Sequence, residues 1–251
     1  MKITKIKTRM GRFGAPVTTD LDAVVERMRS PKTKEAADRI AAIALRSRIA
    51  IEKGSPRFHL GDADKLPYLV FSTTFGRDGL GKPNSFTGLL MLNIPCPQGA
   101  RQVNELRRRV SQIPYTMLAF AGVSGVTLKV VVKCDYKTTT ETTKTTFKTR
   151  DFTDLNHSDS QGHGKSVQSV KSVVSKIKSA GDQDNYLAFL KDAHENAARL
   201  YTSLAMCNLL VGEQTLTRGC RMSYDPQLYY NPEAQVMPVV RATNLTSGIG
   251  N

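Results

Sequence analysis

Two kinds of side chain in this 251-residue sequence are spaced for chemistry: paired carboxylates and clustered cations. Asp62 and Asp64, in GDADKLP, and Asp182 and Asp184, in GDQDNY, are two close carboxylate pairs. Two carboxylates on one cation are what divalent-metal chemistry requires. Asp62 and Asp64 precede a strand-like run, where a solvated loop pair is the plainer role, and Asp182 and Asp184 stand where they can cap the next helix. The cations are Arg101, Arg107, Arg108 and Arg109 on one helical segment and Lys129 and Lys133 on one strand. Being four apart, the two lysines share a sheet face. Just before them, a Ser124 hydroxyl, a Gly125 N–H and the Lys129 ammonium are suitable phosphate ligands. The plainer alternative is a turn at the start of a strand, followed by a solvated lysine.

Cys96, Cys134, Cys207 and Cys220 form no C-x-x-C pair, and His157 and His163 lie in HSDSQGHG with no cysteine nearby. That spacing points away from a disulfide framework and from zinc, and toward reduced, buried thiols.

The charge balance gives the cations a context. With 36 Lys+Arg against 22 Asp+Glu the net charge is +14, and the 40% apolar content is that of a globular chain. No apolar run reaches the ~18–20 residues of a membrane helix. The basic start, MKITKIKTRMGRF, has no apolar stretch behind it, so no signal peptide and a cytoplasmic location are expected. An acidic partner is expected. Nucleic acid is the commonest, although a lipid surface or an acidic protein would satisfy net charge equally. Lys144, Lys148, Arg150, Lys165, Lys171, Lys176 and Lys178 extend the basic set, and Tyr136, Phe147 and Tyr229 are available for base stacking.

The elements that must position these groups follow from periodicity. Leu21, Val24, Val25 and Met28 predict a helix over 17–30, capped at Thr18 or Thr19, and an Ala-rich helix follows over 33–52, ended by Gly54-Ser55-Pro56. YLVFSTTF (68–75) and SFTGLLMLNI (85–94) read as strands, Val103, Leu106, Val110 and Ile113 as the apolar stripe of a helix over 99–113, and 115–121 and 127–134 as two more strands. Residues 137–180, rich in Thr, Ser, Gly and Lys, read as a long flexible basic insertion with a weak helix at 166–178. A helix over 184–205, a strand-like NLLVG and a polar tail over 241–251 complete the chain. The order β-β-α-β-β, insertion, α-β predicts an α+β fold.

Three segments then carry a resemblance: KLPYLVFSTTF with TGLLMLNIP (Lys65 to Phe75 and Thr87 to Pro95), VSGVTLKVVVK (Val123 to Lys133) and RGCRMSYDPQLYYNP (Arg218 to Pro232). In order and spacing they resemble the primase-like domain at the amino end of virulence-associated protein E-type proteins of bacterial mobile elements, within the archaeo-eukaryotic primase superfamily. The resemblance implies a primase-polymerase-like core with an RRM-like mixed sheet over 61–136 and 181–240, preceded by a helical part over 1–60. It implies nucleotidyl transfer with nucleotide and Mg2+ or Mn2+, if the chain is active. The family's Asp-x-Asp falls on Asn93-Ile94-Pro95, which supplies no carboxylate, so the implied protein is catalytically degenerate. Ser124, Gly125 and Lys129 fall on the triphosphate motif, with Thr127 where the family has its second glycine. Arg218 and Ser223 fall beside the active site.

Asp225 is a catalytic candidate, although an Asp before Pro226 more commonly opens a turn. The acid expected before Arg218 falls near Leu210. Glu213 with Asp225 would be the rearranged ligand set of an active primase. The implied partner is single-stranded DNA or a primed template, contacted by Arg101, Arg107, Arg108, Arg109 and Lys133. No Walker-type phosphate loop occurs in the chain, so a third reading is a non-enzymatic adaptor for a helicase or ATPase of the same element.

Overall fold

The computed structural model describes residues 1–9, 12–53, 65–76, 79–136, 175–209 and 214–240. The expectations for Asp62, Asp64, Leu210, Glu213, His157, His163, residues 54–56, 137–174 and the tail 241–251 lie outside the described residues.

Leu21, Val24, Val25 and Met28 are the buried stripe of α1 (Leu21–Arg29), but the helix starts later than its apolar spacing suggests. Residues ahead of it are committed to a hairpin. β1 (Lys2–Arg9) pairs antiparallel with β2 (Arg12–Asp20), setting Lys2 opposite Asp20 and Thr4 opposite Thr18. Thr18 and Thr19 are therefore strand residues, and Asp20 is the N-cap residue. The first sixty residues are not a purely helical part preceding the core. β1 lies inside a four-stranded sheet, sheet A, between β2 and a strand at Tyr68–Val70 that in turn pairs with Gly219–Arg221, and α2 (Lys34–Glu52) follows α1.

Each of the two long strand-like runs is broken by a corner. Tyr68–Phe75 becomes β3 (Tyr68–Val70) and β4 (Thr73–Phe75), and the second run becomes β5 (Pro83–Phe86) and β6 (Leu89–Pro95). The corners are bonded to each other: the Thr87 N–H donates to Ser72 O at 3.0 Å and its hydroxyl donates to Phe71 O. Gly88 makes the turn possible, with φ of 73° and a Cβ position only 2.6 Å from Cys134 O. One strand pair thus feeds three sheets: A through β3, C through β6, and a small sheet of order β4-β5-β9.

Sheet C has order β11-β7-β8-β6, built from β6, β7 (Thr116–Ala121), β8 (Thr127–Lys133) and β11 (Tyr229–Tyr230). It was expected to be a mixed sheet, but each of its hydrogen-bonded pairs is antiparallel. The antiparallel strand β8 lies between β6 and β7, which α3 (Ala100–Ser111) connects.

Alternation along β6 divides the core. Leu90, Leu92 and Ile94 pack under α3 and α4 (Ala180–Ala205), whereas Leu89 and Met91 face α1 and the sheet A residues Ile3, Leu69 and Cys220. Burying each such large apolar side chain contributes on the order of 2 kcal/mol. The result is an α+β sandwich with sheet C in the middle.

The weak helix expected to reach residue 178 does not extend over 175–176, which form β9 (Ser175–Lys176) against β5. α4 begins four residues before the expected 184. Ser179 and Asp182 form a reciprocal capping box there, and Asp184 lies inside the helix. The remaining strand of sheet A, β10 (Gly219–Arg221), arrives from the carboxyl-terminal part of the chain.

Candidate functional site

Asn93 and Lys129 stand directly opposite each other on β6 and β8. They share the face that carries Met91 and Val131, so the lysine stem enters the space between sheets C and A. Gly122 leaves room for it: a Cβ there would sit 2.2 Å from Thr127 Oγ1 and 3.3 Å from Lys129 Cε. The Lys129 ammonium donates to Asn93 Oδ1 at 2.6 Å. Burial holds its pKa below the ordinary lysine value; the neighbouring Cys220 opposes that shift and the Arg218 charge adds to it. No carboxylate among the described residues forms an ion pair with Lys129. Among the described residues its hydrogen-bond partner is a neutral amide.

Arg218 precedes β10, its backbone N–H donating to Thr215 O at 3.1 Å. With Ser72, Leu90, Met91, Leu190, Gln214 and Thr215 it lines a small cleft of about 10 Å³, room for about one water molecule. Its charge reaches Lys129, Tyr68 and His194. His194, on α4, is 2% exposed, and its Nε2 has no hydrogen-bond partner among the described residues. Burial first, and Arg218 second, hold that imidazole below its ordinary pKa, in the neutral form. Cys220, beside Lys129, is a buried thiol pushed up to about 11. Thus Asn93 and Lys129 are bonded, Cys220 and the Arg218 charge are felt at Lys129, and the Arg218 charge is also felt at His194; sequence spacing did not single out Cys220 or His194. Their signal was weak: a lone thiol and a lone helical histidine most often serve as core residues.

Ser223 and Asp225 belong to a different arrangement. Asp225 is 5% exposed. Its Oδ2 accepts from Arg107 Nη2 at 2.5 Å and from the Ala121 N–H at 2.7 Å, and its Oδ1 accepts from the Gln227 N–H at 3.1 Å. The last bond is the turn geometry that an Asp before proline makes. The Asp225 N–H reaches Met28 O at the end of α1, and the Ser223 hydroxyl donates to Ala121 O at 2.6 Å. Both polar groups of Ala121 are therefore held by the 223–225 loop. This clamp places the end of β7, and with it Gly122, against the lysine stem.

Arg107 is not part of an exposed basic face. It is 8% exposed and also donates to Asn104 Oδ1 at 2.9 Å. Its position predicts this, being four residues after Val103 and three before Val110, on the buried stripe of α3. Arg101 and Arg108 are exposed, whereas Arg109 is shared between Glu105 and Ala205 O. Lys133 is half-buried at the far end of β8. Ser124 and Gly125 form the β7–β8 turn, in which Gly125 has φ of 72° and packs toward Ala44 of α2. The Ser124 hydroxyl caps its own turn, accepting from the Val126 N–H at 3.4 Å. Pro95 ends β6 opposite Thr127. Tyr136 packs on Phe86, Tyr186 and Phe189, and Tyr229 is half-buried in β11.

Among the described residues, no three His, Cys, Asp or Glu side chains gather as a metal cluster, and no helix is long and apolar enough to cross a membrane. The arrangement is that of an α+β sandwich with a small cleft lined in part by Ser72, Gln214, Thr215 and Arg218. Residues 62–159 and 149–230 match the family described as BT4734-like, N-terminal domain, and the chain belongs to that family. No curated protein and no solved structure matches it.

Proposed function

We propose that this chain is a primase-polymerase-like nucleic-acid-binding domain, acting in the cytoplasm in the replication or priming of a bacterial mobile element. In this reading it holds nucleotide or strand phosphates without catalysing nucleotidyl transfer. The observation that carries the reading is Lys129, a half-buried cation whose bonded partner among the described residues is the Asn93 amide and whose charged neighbour is another cation, Arg218. A buried charge without a counter-charge is costly, and an anionic ligand removes that cost. A phosphate oxygen between Lys129 and Arg218 would accept charge-assisted hydrogen bonds from both.

Degeneracy is supported by the same residues. Two-metal phosphoryl transfer needs carboxylates around the reacting phosphate. Position 93 offers an amide oxygen already engaged by Lys129, position 95 offers a proline, and Asp225 spends both oxygens on Arg107, Ala121 and Gln227.

Titration of fluorescent single-stranded DNA and of a nucleoside triphosphate, with wild type and Lys129→Met, tests the proposal. The wild type is expected to bind both with strong salt dependence, and the variant to bind the triphosphate at least about tenfold more weakly. Failure of the wild type to bind either ligand would overturn the reading in favour of a non-enzymatic helicase adaptor. Template-dependent primer synthesis with Mg2+ or Mn2+ would overturn its degenerate part.

A further inference from the structure

We infer that the rim formed by β1 and α1, with Lys5, Lys7, Arg27 and Lys32, is a second contact for the phosphate backbone of a single-stranded nucleic acid. The inference rests on the nucleic-acid reading above and adds to it the path of the strand.

The four cations converge because of how α1 covers β1. Ile3 packs with Leu21, Val24, Val25 and Met28, so α1 lies over the face of β1 that carries Ile3. Lys5, two residues further on, has the same orientation. It is half-buried, and its cross-strand neighbour Val17 is 55% exposed, which leaves the rim open. Lys7 is exposed where β1 bulges between Ile6 and Thr8. Arg27 is on the solvent side of α1, and Lys32 is exposed just beyond its end. The pKa of Lys5 lies below the ordinary value, through burial first and then through Arg27, Lys7 and Lys32.

The nearby acids are committed elsewhere. Asp20 takes Lys2 at 2.7 Å, Glu26 takes Arg29 at 3.1 Å, and Asp22 accepts the Tyr230 hydroxyl at 2.5 Å. Among the described residues none of the four cations has an ion-pair partner. Like charges gathered this way repel one another in the free protein, and a polyanion relieves the repulsion.

Register joins the rim to the central cleft. Cys220, Leu69 and Lys5 stand side by side on β10, β3 and β1, and Lys129 is the charged neighbour of Cys220. From the Cys220 end of this row to Lys5 is two strand spacings, about 10 Å. Leu69 and Cys220 are buried, so a strand on the rim would reach Lys129 around this row and not along it. A flat lipid surface could meet the rim but not bend in toward the half-buried Lys129, so nucleic acid is the better fit.

The test compares wild type, Lys129→Met and the quadruple variant Lys5→Gln/Lys7→Gln/Arg27→Gln/Lys32→Gln for binding to single-stranded DNA across a salt series. Each phosphate contact on a single strand contributes about 0.7 to the log–log salt slope. The quadruple variant should flatten the slope by about 2–3 and weaken low-salt binding by about tenfold or more. Its melting temperature should equal or exceed that of wild type, which a merely structural role for these residues would not produce. If the wild type binds and the quadruple variant keeps its slope, the rim assignment is overturned while the functional reading stands. A wild type that binds the triphosphate but no single-stranded DNA overturns the rim assignment alone, and one that binds neither overturns both. Loss of binding to phosphatidylserine vesicles, with DNA binding unchanged, assigns the rim to lipid and overturns the inference. Arg27→Gln alone, at a single exposed site, should flatten the slope by about 0.7.

Discussion

Arg107, which is buried, and Lys129, which is half-buried, are both cations held against sheet C, and they differ in what answers their charge. Arg107 faces Asp225, whose carboxylate also accepts the Ala121 and Gln227 N–H groups, so that charge is balanced within the fold. Lys129 faces the Asn93 amide and has Arg218 as its charged neighbour, and no carboxylate among the described residues answers it. A matched buried pair fixes geometry, here the end of β7. On the reading proposed above, a cation without such a match is the place for an anion. The two are neighbours: the clamp holds Ala121, and the next residue, Gly122, makes room for the lysine stem. The segment that most resembled catalytic machinery, around Ser223 and Asp225, therefore has a positioning role.

The contrast is broken most directly at Asp225. Asp225→Ala leaves Arg107 buried without a counter-charge and should cost about 3–5 kcal/mol in urea denaturation. Adding Arg107→Met should recover much of that loss, because the pair is coupled. A loss below about 1 kcal/mol for Asp225→Ala would mean that the clamp is not a closed ion pair. Ser223→Ala removes one buried hydrogen bond to Ala121 O and should cost about 1 kcal/mol. It should also weaken triphosphate binding modestly, through Gly122, and an unchanged affinity would separate clamp from cleft.

The smallest effect on stability, and one of opposite sign, is expected at Lys129. Lys129→Met removes a charge that burial disfavours, so the variant should be as stable as wild type or up to about 1 kcal/mol more stable at neutral pH. The sign of the pH dependence follows. The folded-state pKa of Lys129 lies below the ordinary 10.5, so between the two values the unfolded chain binds more protons than the folded one. Wild-type stability relative to the variant should therefore rise as pH increases through the folded-state pKa toward 10.5. A clearly destabilised Lys129→Met at neutral pH would show that the lysine is a structural partner of Asn93 and not an open cation.

Much of the fold was legible, and the misreadings have specific causes. The apolar stripes of α1, α3 and α4 and the apolar runs of β6 to β8 are local signals that tertiary packing left in place. The β1–β2 hairpin gave no period-of-two signal because Ile3 and Ile6 point to opposite faces, one toward α1 and the other toward Val70 and Phe75. The breaks at Phe71–Ser72 and Thr87–Gly88 are invisible in strand-prone runs, since they exist only where one corner bonds to the other. Arg107 was readable in principle from its place on the α3 stripe, yet three neighbouring arginines made the segment look uniformly solvated.

Composition and order alone determined the positive balance, the helical and strand periods and the absence of carboxylates at 93 and 95. Those depend on residue type and near-neighbour spacing, which a linear chain already contains. Which cations are satisfied was decided only by tertiary structure. Asp225 reaches Arg107 across 118 residues, and Asn93 meets Lys129 across 36, because folding brings distant strands and loops into one sandwich. The worth of a charge depends on its burial and its partner, and neither exists until the chain has folded.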